Sequence, residues 1–377
     1  MDFILSKLYY LTMAKVAIII PTMNRPDFLL RKFRFYELTE SPHPLYVQDS
    51  SNEENVQKIK DIIKQFKTLD ITYQWVPPGK DYVYRILPLI KEKYCFHVGD
   101  DDLVIPKTIS KCADFLEEHP DYATCSGQQV HIRFRKEDFD KPYGIIERQT
   151  RPLNKSLEDE DMLARIKNFW SVSAFMGFTV RRIETEKIMR NLTKHFGLLE
   201  DMYEFILYTI LIISGKFKVL DELGYVMQIS GLRTFSHQLT EDLFTFPNAG
   251  EQWKICLAGL SEILQGKGVS EEESLKVVRW MFVLYLTHQL YPVEANWLSA
   301  RQKESMSASQ NSSRAFLKQK TRDLFRKIRR FASSKPVLKK IYYKFNPPHN
   351  YVNLPESKYY KDFKLVKDFL ENKKPTV

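Results

Sequence analysis

Phe96-His97-Val98-Gly99-Asp100-Asp101-Asp102-Leu103-Val104-Ile105-Pro106 is the stretch that decides how this chain is read. Tyr94 to Val98 is a short apolar run, three carboxylates follow without a break, and Pro106 opens a stretch of helical character. Adjacent carboxylates repel, so a strand end crowded with them implies a cation that holds them together. A hard divalent ion, magnesium or manganese, takes oxygen ligands and brings phosphate oxygens with it. The plain alternative is a solvated acidic loop, and the surrounding sequence has to decide.

Upstream, Lys15-Val16-Ala17-Ile18-Ile19-Ile20 reads as a central strand buried on both faces. Pro21-Thr22-Met23-Asn24-Arg25-Pro26 ends it, and Pro26 opens a helix through about Glu37, with Phe28, Leu29, Lys32 and Phe33 at helical spacing. No GxGxxG follows the strand, so a dinucleotide fold is not indicated. Leu45 to Gln48 is a second strand, and the polar turn Asp49-Ser50-Ser51-Asn52 follows it. Asp49 there can accept hydrogen bonds from a ribose or a base, while Ser51 or Asn52 can cap a helix from Glu53 to Phe66. Ile71 to Val76 is a third strand, stopped by Pro77-Pro78-Gly79. Asp81 to Lys93 reads as a helix with Lys80 and Arg85 near its amino end, where they either meet phosphate or base or are ordinary solvated cations. Strands alternating with helices give a parallel sheet with right-handed crossovers, and the ends of the first, second and fourth strands converge on one crevice.

Downstream, Lys107 to Glu118 is helical, Tyr122 to Ser126 is a strand, and Gln128 to Phe134 is extended, with Val130, Ile132 and Phe134 alternating. Asp140 to Asp159 has no clear period and reads as a loop able to order over substrate. Trp170 either offers its ring to a ligand or packs in the core, the commoner fate of tryptophan. Glu200 and Asp201 sit at the mouth of an apolar helix, Tyr203 to Ile213. Acidic residues favour helix amino ends by a few tenths to about 1 kcal/mol without any further role. Tyr225 to Ser230 reads as a strand, and Arg233 and His237 lie just beyond it.

These motifs, taken in order, resemble those of the GT-A glycosyltransferases. The opening strand with Pro21-Thr22-Met23-Asn24-Arg25, the Asp49-Ser50-Ser51 turn and the acidic triplet three residues before Pro106 are most similar to the inverting family-2 type that builds bacterial polysaccharides. The resemblance covers roughly Lys15 to Leu239. It implies a GT-A fold, a Rossmann-like and mostly parallel α/β sheet flanked by helices, with a C-terminal helical extension. The family's acidic motif is Asp-any-Asp. By the distance to Pro106 its first position here is Gly99 and its second Asp101, which becomes the lead metal ligand. Asp100 and Asp102 flank it, the first toward the donor and the second toward the metal, with their division of labour open. The resemblance further implies that Pro21, Thr22, Asn24, Arg25 and Asp49 line the nucleotide pocket, that the Trp170 segment lines the acceptor side, and that Asp201 is the catalytic base with Glu200 as its neighbour. His237 becomes a further metal ligand and Arg233 a phosphate contact.

The implied reaction is a manganese- or magnesium-dependent hexosyl transfer. A nucleoside-diphosphate sugar, a UDP-sugar first among them, would donate to a hydroxyl of a glycan or lipid-linked acceptor in cell-surface polysaccharide synthesis. One displacement inverts the anomeric centre, and no Ser–His or Cys–His arrangement suggests a covalent nucleophile. Two other classes stay open. A nucleotidyltransferase also uses clustered carboxylates and metal, but no glycine-rich phosphate loop is present; a non-catalytic, membrane-associated nucleotide-sugar binding protein is the other.

Composition bounds the rest. The chain has 377 residues, 44% hydrophobic and 28% charged, enough for a large core and for two domains or one with appendages. Cys95, Cys112, Cys125 and Cys256 show neither disulfide nor zinc spacing, as expected of reduced thiols in a cytosolic protein. Met1 to Thr12 contains no convincing signal peptide, and Met13 reads as the working start. Phe205 to Ile213, the longest apolar run, is too short to span a bilayer. The division expected is a glycosyltransferase domain over 14–245, a helical subdomain over 246–300 and a basic tail over 301–377. In the subdomain, Gln252 to Leu264 and Glu271 to Leu290 are helical in period, with Trp280, Val283, Leu284 and Leu286 expected to face inward. A serine-rich linker covers Ser305 to Ser313. Between Arg314 and Lys344 twelve Lys/Arg stand against one acid, Asp323, and this stretch accounts for the whole net charge of +10. Leu317, Leu324, Ile328 and Phe331 recur there at helical spacing. A basic amphipathic helix of this kind lies on an anionic membrane surface, docks on the body or binds nucleic acid; no RNA or DNA recognition motif supports the last. The location expected is cytoplasmic, peripheral on the inner face of the membrane.

Overall fold

A computed structural model describes residues 15–77, 85–150, 154–172, 176–193, 200–229, 249–287 and 351–371. One nine-stranded sheet runs through it in the order β3-β2-β1-β4-β8-β6-β9-β5, with β7 paired to β6. The first half is parallel: β1 (Val16–Thr22), β2 (Leu45–Asp49), β3 (Ile71–Trp75) and β4 (Tyr94–His97). Between them lie α1 (Pro26–Leu38) and α2 (Glu53–Ile63). Pro26 stands in the first turn of α1, where its missing N–H costs nothing. Asn52 caps α2 by accepting from the Asn55 N–H at 3.0 Å, and Val56, Ile59 and Ile62 form its buried face. The helix expected over 81–93 differs. Its described part, from Arg85 on, holds only a 3-10 turn at Leu87–Leu89, because Pro88 lacks an N–H and restricts the residue before it.

The second half is mixed: β5 (Leu103–Val104), β6 (Tyr122–Phe134), β7 (Ile146–Thr150), β8 (Val180–Arg182) and β9 (Lys216–Gln228). β8 runs antiparallel to β4 and β6, β5 antiparallel to β9, β7 antiparallel to β6, and only β6 and β9 are parallel. The fold class expected, an α/β sheet flanked by helices with helices after it, is found; the sheet, expected to be mostly parallel, has as many antiparallel as parallel strand pairings among the described residues, because β5, β7 and β8 run against their neighbours. The two extended segments expected on either side of Gly127 are one long strand. Gly127 lets β6 meet β9 where both are irregular: a Cβ there would come within 2.7 Å of the Gly224 nitrogen. Part of the loop expected over 140–159 is β7, and Leu157 bridges to Phe217.

The helices of this half are α3 (Pro106–Glu118), α4 (Met162–Val172), α5 (Ile183–Thr193), α6 (Glu200–Ser214), α7 (Ala249–Gln265) and α8 (Glu271–Tyr285). α1, α2 and α3 share the main core with β1, β4 and β6, whereas α6 centres a second core with α4, α7 and α8. Val277, Val278, Met281 and Tyr285 are the buried face of α8. Trp280 and Val283, expected inward, are 38% and 53% exposed. Both faces of this helix carry apolar residues, so its period does not say which one α6 and α7 cover. All four cysteines are buried and unpaired. No helix among the described residues is long and apolar enough to cross a membrane.

The last described helix, α9 (Tyr360–Glu371), returns to the main core. Phe369 packs on Phe35 of α1 and on Tyr143, at centroid distances of 5.2 and 5.7 Å. The Gly144 N–H donates to the Leu370 carbonyl at 3.1 Å, the Ile146 N–H to Glu371 at 3.0 Å, and Tyr359 hydroxyl to Asp221 at 2.6 Å. Phe363, wholly buried, is expected to cost ~3–5 kcal/mol when cut to alanine. Urea unfolding of Phe363→Ala measures this, and a loss below about 1 kcal/mol would mean that α9 is not part of the cooperative core.

Candidate active site

The parallel half brings three strand ends to one level. Thr22 of β1 pairs with Asp49 of β2, and Asp49 with Trp75 of β3. On the other flank of β1, β4 leads through Val98 and Gly99 into the acidic triplet, whose turn closes with the Asp102 N–H on the Gly99 carbonyl at 3.2 Å. In open α/β sheets this carboxyl-end crevice is where ligands bind.

α1 answers the triplet with three cations. Arg25, at the N-cap, donates from Nη1 to Asp100 Oδ1 at 2.6 Å and from Nη2 to Asp101 Oδ2 at 3.1 Å, and its guanidinium lies 4.1 Å over the Phe28 ring. Arg31 and Lys32 are completely buried. Arg31 donates to the main-chain oxygens of Asp101 (2.6 Å) and Pro142 (2.5 Å) and to Gln228 Oε1 (2.6 Å); Lys32 donates to the Asp102 carbonyl at 2.5 Å. The cation implied by crowded carboxylates is thus supplied in part by the chain itself. In the sequence Lys32 falls among the apolar residues Phe28, Leu29 and Phe33, and a lysine on a core-facing stripe is the signal that marks it.

Each carboxylate has a different task. Asp100 accepts from Thr22 Oγ1 at 2.8 Å as well as from Arg25. Asp102 points away from it, accepting from the Tyr225 hydroxyl and from the Gln228 N–H at 2.8 Å, so it ties the triplet to β9. Burial pushes Asp100 up to about 6 against the pull of Arg25, and pushes Asp102 up to about 7 with the Asp101 charge adding to it. Burial likewise lowers Lys32 to about 7 and Arg31 to about 10. Asp101 is the member turned toward solvent, its side chain 18% exposed against 5% for Asp100.

Among the described residues no three His, Cys, Asp or Glu side chains converge as a metal cage. Both oxygens of Asp100 and of Asp102 are already engaged by protein donors. An ion at this site would be held through Asp101, the carboxylate turned toward solvent, whose Oδ2 Arg25 also holds, with water and the phosphate oxygens of a ligand completing its shell, as magnesium is commonly held at phosphate sites.

The two turns beside the triplet are locked together. Asn24 has φ +57°, a left-handed conformation that asparagine tolerates. Its N–H donates to Ser51 Oγ at 2.7 Å, and its Oδ1 accepts from the Asn52 N–H at 3.0 Å and from Asn55 Nδ2 at 3.2 Å. Asp49 is wholly buried, with Oδ1 accepting from the Ser51 N–H at 2.8 Å and Oδ2 from the Tyr73 hydroxyl at 2.7 Å. Its carboxylate thus braces the turn. Pro21, the next-to-last residue of β1, pairs with Gln48. Trp75, missed in the sequence, donates from Nε1 to the Ser51 carbonyl at 2.9 Å and leaves its ring 36% exposed at the crevice rim. Only the strand register reveals that position.

Arg85 is exposed just before the 3-10 turn. Lys80, Arg233 and His237 lie outside the described residues. Trp170 belongs to α4, and Glu200 and Asp201 are the first two residues of α6; their side chains lie outside the description.

A buried ionic cluster joins the triplet's strand to α6. His97 ends β4 and its Nε2 accepts from Arg190 at 3.0 Å. Glu186 binds Arg190 and Arg181, each at 2.6 Å, and the Arg190 guanidinium lies 4.7 Å over the ring of Tyr203 in the first turn of α6. Burial, with Arg190 adding to it, lowers His97 to about 3, which leaves it a neutral acceptor.

In comparison with known proteins, no family model matches the sequence and no curated protein matches it. Among solved structures the chain is similar to TarS of S. aureus, at 12% identity and a TM-score of 0.43, over 72% of this chain and 44% of that one. This chain therefore spans less than half the length of that TarS chain. Residues 1–349 of TarS in complex with UDP-GlcNAc match at 13% identity and a TM-score of 0.46, over 72% of this chain and 73% of that one. The same residues with UDP match at 13% and 0.45, over 73% and 72%. At such identities and scores the likeness concerns the course of the backbone and carries no weight on chemistry.

Proposed function

We propose that this chain is a metal-dependent, inverting glycosyltransferase of the GT-A type. It would move a sugar from a nucleoside-diphosphate sugar, a UDP-sugar first, to a hydroxyl of a glycan or lipid-linked acceptor in cell-surface glycan synthesis. The observation that carries the reading is the meeting of Thr22, Arg25 and the Asp100–Asp102 turn at the carboxyl ends of β1 and β4, beside the braced Asn24–Asp49 turns. Asp101 is the carboxylate offered to a manganese or magnesium ion. When bound, that ion supplies charge neutralisation for the departing diphosphate. Arg25, whose two prongs hold Asp100 and Asp101, is assigned to the donor pocket as a fixed positive charge beside the diphosphate. Thr22 fixes Asp100, and Asp102 fixes the turn on β9. Asp201, at the positive end of α6, takes the proton of the attacking hydroxyl. Lys80, Arg85, Arg233 and His237 are assigned to the donor diphosphate and its ion, and Trp170 to the acceptor.

Calorimetry against a panel of nucleoside diphosphates, with and without manganese, tests this reading. Manganese-dependent binding of UDP, weakened at least tenfold in Asp101→Ala, is expected. Folded protein that binds no nucleotide rejects it. The tail over 314–344 is assigned to an anionic membrane surface on the cytoplasmic side, with the enzyme peripheral there. The full chain should sediment with vesicles of phosphatidylglycerol at low salt, not with phosphatidylcholine, and 0.5 M salt should release it. Equal sedimentation with both lipids would count against an electrostatic contact.

A further inference from the structure

β6 carries a polar stripe that the donor crevice does not use. Val130, Ile132 and Phe134 are part of the main core, so Gln129, His131 and Arg133 alternate onto the other face. Gln129 is 1% exposed, yet neither its Nε2 nor its Oε1 has a hydrogen-bond partner. His131 Nε2 is buried and equally without one. Unpaired buried polar atoms cost about 1–3 kcal/mol each and are rare in native interiors. Three on one strand face leave hydrogen-bonding capacity that a ligand could use.

The topology places this stripe between the two ends of the proposed chemistry. Lys216, the first residue of β9, pairs with Tyr122 of β6, and only Gly215 separates it from the end of α6. α6 packs on β6 and β9 and doubles back over them. Its 15 residues span ~22 Å, or six to seven strand residues at ~3.3 Å each. That sets its first turn, with Glu200 and Asp201, at about the level of Gln128 to His131. On the neighbouring strand Gln129 pairs with Tyr225, whose hydroxyl holds Asp102.

We infer that Gln129 and His131 bind the acceptor, and that the acceptor presents neutral hydroxyl groups, as a sugar or polyol does. This rests on the sugar-transfer reading and adds residues to it. A primary amide both donates and accepts, and a neutral imidazole does the same, so together they match vicinal hydroxyls. Burial lowers His131 below the ordinary histidine value, in keeping with the neutral form. An anionic group would call for cations at these two positions instead.

Gln129→Met tests it, because methionine keeps the volume and removes both polar atoms; His131→Phe is the second variant. Four quantities are read: thermal midpoint, UDP affinity with manganese, hydrolysis of UDP-glucose and UDP-N-acetylglucosamine by water, and transfer from them to methyl β-D-glucopyranoside or glycerol. The expected result is a midpoint equal or higher in Gln129→Met, UDP affinity and hydrolysis within twofold of wild type, and transfer to the probes at least tenfold lower in each variant. Unchanged transfer would show an amide that only holds a buried water, and overturns the assignment. So would losses of hydrolysis and UDP affinity that match the loss of transfer, or a wild type that hydrolyses donor and glycosylates neither probe. Wild-type protein that neither binds a nucleoside diphosphate nor cleaves a nucleotide sugar rejects the transferase reading itself, and the acceptor assignment with it.

Discussion

Glu186→Ala is expected to cost the fold ~3–5 kcal/mol, the range for removing one partner of a buried ion pair. The Glu186 carboxylate is wholly buried, and the side chains of Arg181 and Arg190 beside it are 1% and 5% exposed. Without Glu186, two guanidiniums stay in the interior with the neutral His97, the Gly177 carbonyl and the Tyr203 ring against them, and no counter-charge from Glu186. Glu186→Gln keeps the shape but not the charge and should fall between the two. The pH dependence has a definite sign. Burial by itself would raise the Glu186 carboxyl, but the charges of Arg181 and Arg190 prevail and hold it far below the usual carboxylate range. A depressed folded value means stability that is present above the unfolded value near ~4.3 and is lost as pH falls toward the folded one. The stability gap between wild type and Glu186→Gln should therefore be level from pH 6 to 8 and shrink below about pH 4. Urea unfolding across that range measures it. A gap under about 1 kcal/mol at pH 7 would mean that the arginines find water or other partners. Because the cluster spans β4, β8, α5 and the first turn of α6, its loss should also loosen the placement of Asp201 relative to the triplet.

Asp201→Asn is expected to lower sugar transfer by about 10²–10⁴, the span that general-base catalysis contributes, with UDP affinity unchanged within twofold. Asparagine keeps the size of the side chain and its suitability at a helix amino end while removing the proton acceptor. Glu200→Gln should have the smaller effect. Rates of nucleoside diphosphate release, with direct UDP binding alongside, are the measurement. Near-normal turnover in Asp201→Asn would remove it from the chemistry, and a parallel loss of UDP binding would move it to the donor side. The released product separates reaction classes: nucleoside diphosphate accompanies sugar transfer, and pyrophosphate accompanies nucleotidyl transfer.

Much of the parallel half was legible because each strand there is a short apolar run closed by a turn signal nearby. Pro21, Asp49 and Pro77 punctuate β1, β2 and β3, and Pro26 and Asn52 start the helices between them. These are short-range effects, acting within a turn or two of chain. The opposite half was less legible for equally concrete reasons. β8 is three residues long, too short for any period. The first part of β9 carries charged residues, because that stretch is only partly covered. Trp280 and Val283 looked inward because hydrophobicity alone does not say which face a neighbouring helix will take.

By itself the sequence determined that an acidic turn ends a strand of an α/β sheet, with a proline-rich turn and an aspartate turn beside it. It also implied that the crowded carboxylates need a positive partner. Only the tertiary structure decided who that partner is and where each carboxylate points. Arg25, Arg31 and Lys32 lie some 70 residues or more before the groups they bind, and Tyr225 and Gln228 more than 120 after Asp102. Contacts across such separations leave no local pattern. They form because packing α1 and β9 against β4 buries these groups together, and a buried charge or carbonyl must find a donor or acceptor there or forfeit its solvation.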